Sequence, residues 1–251
     1  MVGAPAAADA VARARRLPRL HVGLHLVLVD GYPALAKSEI PDLVTNNGEF
    51  DRNMARAAMR FFCLPRIRRE LAMEIRAQFE AFWATGLHLD HVNAHKHMHL
   101  HPTVARLIVE IGRDYGMKAV RVPSEPVSVL RQAFSHERYP VPLHHLWAKN
   151  LRRRLKRAGL FVNDNIFGLA WSGGMVEERW LRLLPHLPEG VSEIYLHPAT
   201  HRTPALVAAM PGYRQQEELA ALLSPSVKNQ LARPGIALAN YNDLATAPRK
   251  M

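Results

Sequence analysis

Cysteine is nearly absent. Cys63 is the one thiol in 251 residues, so an internal disulfide is excluded and a reducing compartment is the natural setting. It lies in "RFFCLPRI" with no nearby base, and the expectation is a buried structural thiol. Long apolar runs are also missing: none approaches the roughly 20 residues that a membrane span requires. The opening "MVGAPAAADAVARARR" has no basic stretch ahead of an apolar core and does not read as a signal peptide. The expected location is cytoplasmic, peripheral to the inner membrane. Acidic residues are scarce, 22 against 33 Lys and Arg, for a net charge of +11. Such a balance suits nucleic acid, an anionic membrane surface or a basic proteome. The densest basic run, "LRRRLKR" at 151–157, reads first as the solvated face of a helix. No zinc-finger, RNA-recognition or helix-turn-helix signature accompanies it, so a nucleic-acid partner is not expected. "HExxH" is absent too, which excludes a zincin. With no internal repeat and no clear linker, residues 1–251 read as a single domain.

Histidine is what the chain has in excess. "HVNAHKHMHLHP" runs from His91 to Pro102 and holds five. If extended, it would point His91, Asn93, His95, His97, His99 and His101 the same way. They cannot all ligate one ion, because the run would span ~33 Å at ~3.3 Å per residue. One or two at the strand end could do so. The others would line a polar cleft, orient the ligands or cap the next helix. Any one of them also reads as an ordinary solvated or hydrogen-bonded histidine.

The surrounding pattern alternates strand and helix. Residues 5–16 read as helix. "LHVGLHLVL" at 20–28 alternates, with Leu20, Val22, Leu24, Leu26 and Leu28 on one face and His21, Gly23 and His25 on the other. Residues 31–53 look irregular. A helix from Arg66 to Thr85 stops at Gly86, "LHLDHVNAH" resumes as strand, and Pro102 opens a helix that ends at Gly116. "KAVRVP" reads as a short strand, 124–148 as a long loop and 145–158 as helix. A turn at "SGGM" precedes a helix over 176–186. "SEIYLHP" reads as strand, 214–223 as helix and "GIALANYNDL" as a last strand. This order implies an α/β fold with a parallel sheet, open or closed into a (β/α) barrel.

Three of these strands end in histidine: His25, His95 and His197. In parallel α/β folds the carboxyl ends of the strands form the rim where ligands bind, so histidines far apart in sequence would meet there. Gly23 and His25 would face the barrel lumen while the leucine face packs on helices.

"VGLHLVLVDG" together with "LDHVNAHKHMHLHP" resembles the YdjC-like carbohydrate deacetylase family, the ChbG/HpnK group. "RVPSEP", "FGLAWSGGM" and "EIYLHPA" are similar to the HpnK type associated with hopanoid biosynthesis. The resemblance runs over essentially the whole chain. It implies a (β/α)-barrel-like fold and metal-dependent removal of an N-acetyl group from an amino sugar, such as an N-acetylglucosaminyl hopanoid lipid. It implies a divalent ion, magnesium or zinc, held by one aspartate and two histidines, the latter matching His25 and His95. His197 matches a histidine at the reaction centre and is the candidate acid for the departing amine; a histidine simply packed at a strand end is the alternative.

One departure stands out. The family's first strand carries an "ADDFG"-type motif that supplies the metal-binding aspartate and a general base, and no such motif is present. The expectation is a chain short of its first strand and helix, with a start upstream or a truncated gene. Asp90 and Asp164 are the nearest substitute carboxylates. Asp90 would point away from His91, and Asp164 would sit in the cleft. His97, Arg121 and Asp164 are the candidate substrate contacts; a structural salt bridge is the alternative for Arg121. An N-acetylated sugar or glycolipid, met by peripheral membrane contact, is the expected partner. A non-catalytic metal- or sugar-binding remnant of the fold is the competing reading.

Overall fold

A computed structural model describes residues 1–137 and 145–247. In chain order the elements are α1 (Ala7–Arg15), β1 (Val22–Leu26), α2 (Met54–Cys63), α3 (Pro65–Trp83), β2 (Leu89–Ala94), α4 (Pro102–Gly112), α5 (Val127–Ala133) and α6 (His145–Arg157). There follow β3 (Asn165–Phe167), α7 (Glu177–Leu183), β4 (Ser192–Ile194), α8 (Pro204–Ala209), α9 (Gln215–Leu223), α10 (Pro225–Leu231) and α11 (Tyr241–Thr246). Both strand pairs, β1 with β2 and β3 with β4, are parallel, as expected of a (β/α) fold. Internal contacts divide the chain into two compact units. Among the described residues the first holds 1–121, 146–162 and 240–247; the second holds 122–137, 145 and 163–239.

In the first unit β1 and β2 pair with His25 opposite Asn93 and Leu26 opposite Ala94. Leu24, Leu26 and Leu28 are fully buried, as the alternation predicts, but Leu20 lies before the strand and is exposed. The register slips between Val22 and Leu24. Gly23 sits there because a Cβ would come within 2.6 Å of the His91 ring. Residues 118–121 continue the sheet by single bridges, Val92 to Val120 and Ala119 to Phe161, rather than as a full strand.

Pro65 opens α3, and Gly86 stops the chain beyond it at φ +68°. Its buried stripe of Ile67, Leu71, Ile75 and Phe79 recurs every four residues. Each such side chain contributes about 1.5–3 kcal/mol by burial. Glu70, Glu74 and Gln78 are buried on the same helix. Gln78 bonds both Val27 N–H and Val27 C=O; Glu74 accepts from Ala34 and Leu35; Glu70 accepts from Asp42 and Leu43. The irregular 31–53 stretch thus gains partners that a sheet would otherwise supply.

Several expectations fail here for identifiable reasons. α2 falls in a stretch to which the residue pattern assigns no element; the Asn53 side chain caps it by accepting from Arg56 N–H. Its packed stripe is Ala57 and Phe61, so Cys63, about 200° further round, is exposed rather than buried. The stretch 235–244 forms no strand, because Asn240 caps Asp243 N–H and starts α11. The loop expected over 124–148 contains α5, and its residues 138–144 lie outside the described residues.

In the second unit a core of Leu130, Phe134, Phe167, Trp171, Met175 and Leu183 packs beneath β3 and β4. Asn163 substitutes for a strand neighbour: its side chain accepts from Val122 N–H and donates to Val122 C=O.

Candidate functional site

Pairing of β1 with β2 places His25 beside Asn93, and the chain then turns sharply. Lys96 and His97 both adopt left-handed backbone, φ +48° and +55°, at a cost of roughly 1–2 kcal/mol each. The H-x-H-x-H run is therefore not a continued strand, and its side chains do not share one face. His91 packs on Tyr241 and bonds Asp90. His97 meets His99 edge-on, and His101 sits against Phe61 and Phe62. His95 meets His25: the ring centroids are 5.7 Å apart in an edge-to-face arrangement, and the fully buried His99 also feels the charge of His25.

That spacing fits a shared ion. Two imidazoles bound to one tetrahedral cation at ~2.1 Å put their centroids roughly 5–6 Å apart. Burial pushes the His25 pKa down to about 3; the hydrogen bond to Asn93 opposes this, while His95 and Arg121 add to the depression. The ring is thus neutral at ordinary pH, the form a metal requires. Its Nδ1 lies 2.5 Å from the Asn93 amide. Turned one way, the amide oxygen accepts from Arg121 Nη1 at 2.7 Å and Nη2 at 3.2 Å. Turned the other way, it accepts Nδ1–H and leaves Nε2 for a cation. Arg121 joins the cluster through Asn93 in the first orientation, in which the Asn93 NH2 donates to Nδ1 and the His25 proton sits on Nε2. Among the described residues no group of three or more His, Cys, Asp or Glu side chains is arranged to hold an ion, so this pair supplies two nitrogens and no carboxylate.

The carboxylates have other duties. Asp90 caps α11 through Asn242 N–H and holds His91. Asp164 is exposed, and its carboxylate accepts from Val191 N–H ahead of β4. Asp30, passed over in the sequence, is held well ionised, chiefly by its hydrogen bond to Lys96, with His95 among the charges acting on it.

His197 belongs to the second unit, just after β4. Its ring stands between Tyr195 and Tyr213, each 5.0 Å away edge-on. Ser172 ties the two tyrosines together, its hydroxyl 2.6 Å from one phenol oxygen and 2.8 Å from the other. The buried Glu218 carboxylate accepts from His197 N–H at 2.6 Å and from Met175 N–H at 2.8 Å. A second buried carboxylate, Glu125, accepts from Gly168, Leu169 and Ala170. Two glutamates therefore shape the glycine-bearing 167–175 stretch around His197. The sequence offered little sign of them: Glu125 lies inside "RVPSEP", and Glu218 reads as an ordinary helix residue.

Gly173 has φ +78°, and a Cβ there would fall 2.1 Å from the Tyr213 ring. Gly173→Ala is expected to cost about 3 kcal/mol or more, combining backbone strain with a clash. A melting curve checks this; an unchanged midpoint would refute the close approach.

Comparison with known proteins decides the family. The model for YdjC-like proteins matches residues 1–233. The chain belongs to the YdjC-like family. Among its YdjC-like relatives, a carbohydrate deacetylase of Geobacillus stearothermophilus is 30% identical over 247 residues, covering 97% of this chain and 84% of that protein. A carbohydrate deacetylase of Vibrio vulnificus (strain CMCP6) is 31% identical, covering 99% and 84%. A chitooligosaccharide deacetylase of Yersinia pestis (strain Pestoides F) is 29% identical, covering 90% and 79%. A solved structure from Enterococcus faecalis V583, a candidate cellobiose-phosphate cleavage protein, superposes with a TM-score of 0.74 at 22% identity, over 97% of this chain and 85% of that one. It supports the fold alone.

Proposed function

We propose that this YdjC-like chain is a metal-dependent carbohydrate deacetylase, hydrolysing the acetamide of an N-acetylated amino sugar to acetate and a free amine. The observation that carries the reading is the His25–His95 pair, 5.7 Å apart with His25 held neutral, in a chain about 30% identical over nearly its whole length to carbohydrate deacetylases.

His25 and His95 would hold the ion, magnesium or zinc. When bound, that ion polarises the acetyl carbonyl and lowers the pKa of a water. Arg121 and His97 are assigned to sugar oxygens, with the Asn93 amide oxygen accepting His25 Nδ1–H so that Nε2 faces the ion. His197, fixed through its backbone by Glu218, is assigned to protonate the amine nitrogen as the C–N bond breaks. Asp164 keeps the loop-pinning role its Val191 hydrogen bond describes. The motifs at 121–126, 167–175 and 193–199 favour a sugar carried on a hopanoid-type lipid, reached from the cytoplasm at a membrane surface. No helix of the described residues is long and apolar enough to cross a membrane.

That no third His, Cys, Asp or Glu joins this pair among the described residues favours a second reading, a metal- or sugar-binding module without turnover. Acetate release from a chitooligosaccharide separates the two. Release that a chelator stops and added zinc or magnesium restores is expected. Sugar or metal binding with no acetate, under every metal tried, would establish the second reading.

A further inference from the structure

The first unit carries a feature with no part in that chemistry. A groove of about 430 Å³ runs between the start of α4 and α6. Leu100 and Pro102 line one side, and Trp147, Arg153, Arg154 and Arg157 line the other. Ala148, Leu151 and Leu155 pack α6 inward, which leaves its opposite face to solvent. Over 145–157 that helix carries Lys149, Arg152, Arg153, Arg154, Lys156 and Arg157, and no acidic residue occurs between 138 and 163. None of the three groove arginines forms an ion pair among the described residues.

Apolar side chains rim these charges. Leu146 is 69% and Trp147 48% exposed at the start of α6. Phe62 is 62% exposed and lies against His101, between the groove residues Leu100 and Pro102. Met59, one helical turn before Phe62, is 66% exposed. Single exposed apolar residues are ordinary, but several together beside unpaired arginines are not.

We propose that this face docks on an anionic membrane, with Arg153, Arg154 and Arg157 taking lipid phosphates and Trp147, Leu146 and Phe62 entering the headgroup layer. Guanidinium groups match phosphate oxygens two at a time. Tryptophan and aliphatic tips favour the boundary between headgroup and acyl chain. Charge complementarity selects the anionic surface. A single-stranded nucleic acid would be met by a row of stacking aromatics, whereas Leu146 and Met59 offer a base nothing to stack on. The proposal deepens the membrane part of the reading above and is independent of the hydrolytic chemistry.

The test is co-sedimentation of the full chain with phosphatidylcholine vesicles, with and without about one-third phosphatidylglycerol. Binding confined to the anionic vesicles and weakened by salt is expected. Substituting all three arginines (R153A/R154A/R157A) should weaken it by about 10²-fold. Trp147→Phe should abolish a lipid-induced blue shift in tryptophan fluorescence while the salt dependence persists. Circular dichroism and melting point verify that both variants fold. Acetate release from a soluble chitooligosaccharide should be unchanged in the arginine variant, so failure of docking and failure of the deacetylase reading are separate results. Equal affinity for neutral and anionic vesicles, an arginine variant that binds like the parent, or arginine-dependent binding of an RNA oligonucleotide without vesicle binding would each overturn the proposal.

Discussion

His95→Ala and His25→Ala are each expected to lower acetate release by about 10³-fold, the loss of several kcal/mol of transition-state stabilisation that a correctly held cation supplies. The two rings lie 5.7 Å apart, so either removal leaves one nitrogen where two converge. Affinity for zinc, read by titration calorimetry, should fall in parallel, because each substitution removes one of the two nitrogens that would hold the ion. His101→Ala is the contrast. Its ring packs on Phe61 and Phe62, so this variant should lose stability and keep metal affinity. If His101→Ala weakened the metal as much as His95→Ala, the histidine run would act as a whole and the pair would lose its special place.

Glu218→Ala is expected to destabilise the second unit by roughly 3 kcal/mol. The carboxylate accepts from Met175 and His197, and Met175 is fully buried. A buried N–H deprived of its acceptor costs about 1–3 kcal/mol, and the partly exposed His197 N–H adds a smaller amount. Out of a typical total of 5–15 kcal/mol, the shift in a melting curve should be plain. Glu218→Gln keeps one acceptor oxygen and should fall between the two. A role in positioning His197 adds a second readout. In both variants kcat should drop more than KM rises, and the limb of the pH–rate profile belonging to the acid should move. Loss of stability with an unaltered pH profile would leave Glu218 as a brace for the Met175 turn alone.

Much of the scaffold is legible along the chain because its signals are local. Leu24, Leu26 and Leu28 alternate into a core strand segment, and glycines at 86 and 116 stop helices with positive φ. The inward face of α6 follows from apolar spacing. Local signals mislead where a cap or a tertiary contact outweighs them. Asn240 turns an apparent strand into α11. Cys63 faces solvent because α2 aligns on Ala57 and Phe61. Glu70, Glu74 and Gln78 carry no local sign of burial, yet they are buried to hold the backbone of the 27–43 stretch.

Histidine number and spacing, parallel strand order and the family itself are present in the residues taken alone, since they depend on type and interval. Which histidine meets which was settled only by folding. Two left-handed residues after His95 break the alternation, so His95 meets the His25 ring edge-on, His91 packs on Tyr241, His97 meets His99 and His101 meets phenylalanines. The glutamates that shape the surroundings of His197 likewise come from segments more than twenty positions away. Backbone hydrogen bonds across such separations leave no periodic trace in a sequence, because any buried N–H needs an acceptor but nothing local dictates which side chain provides it.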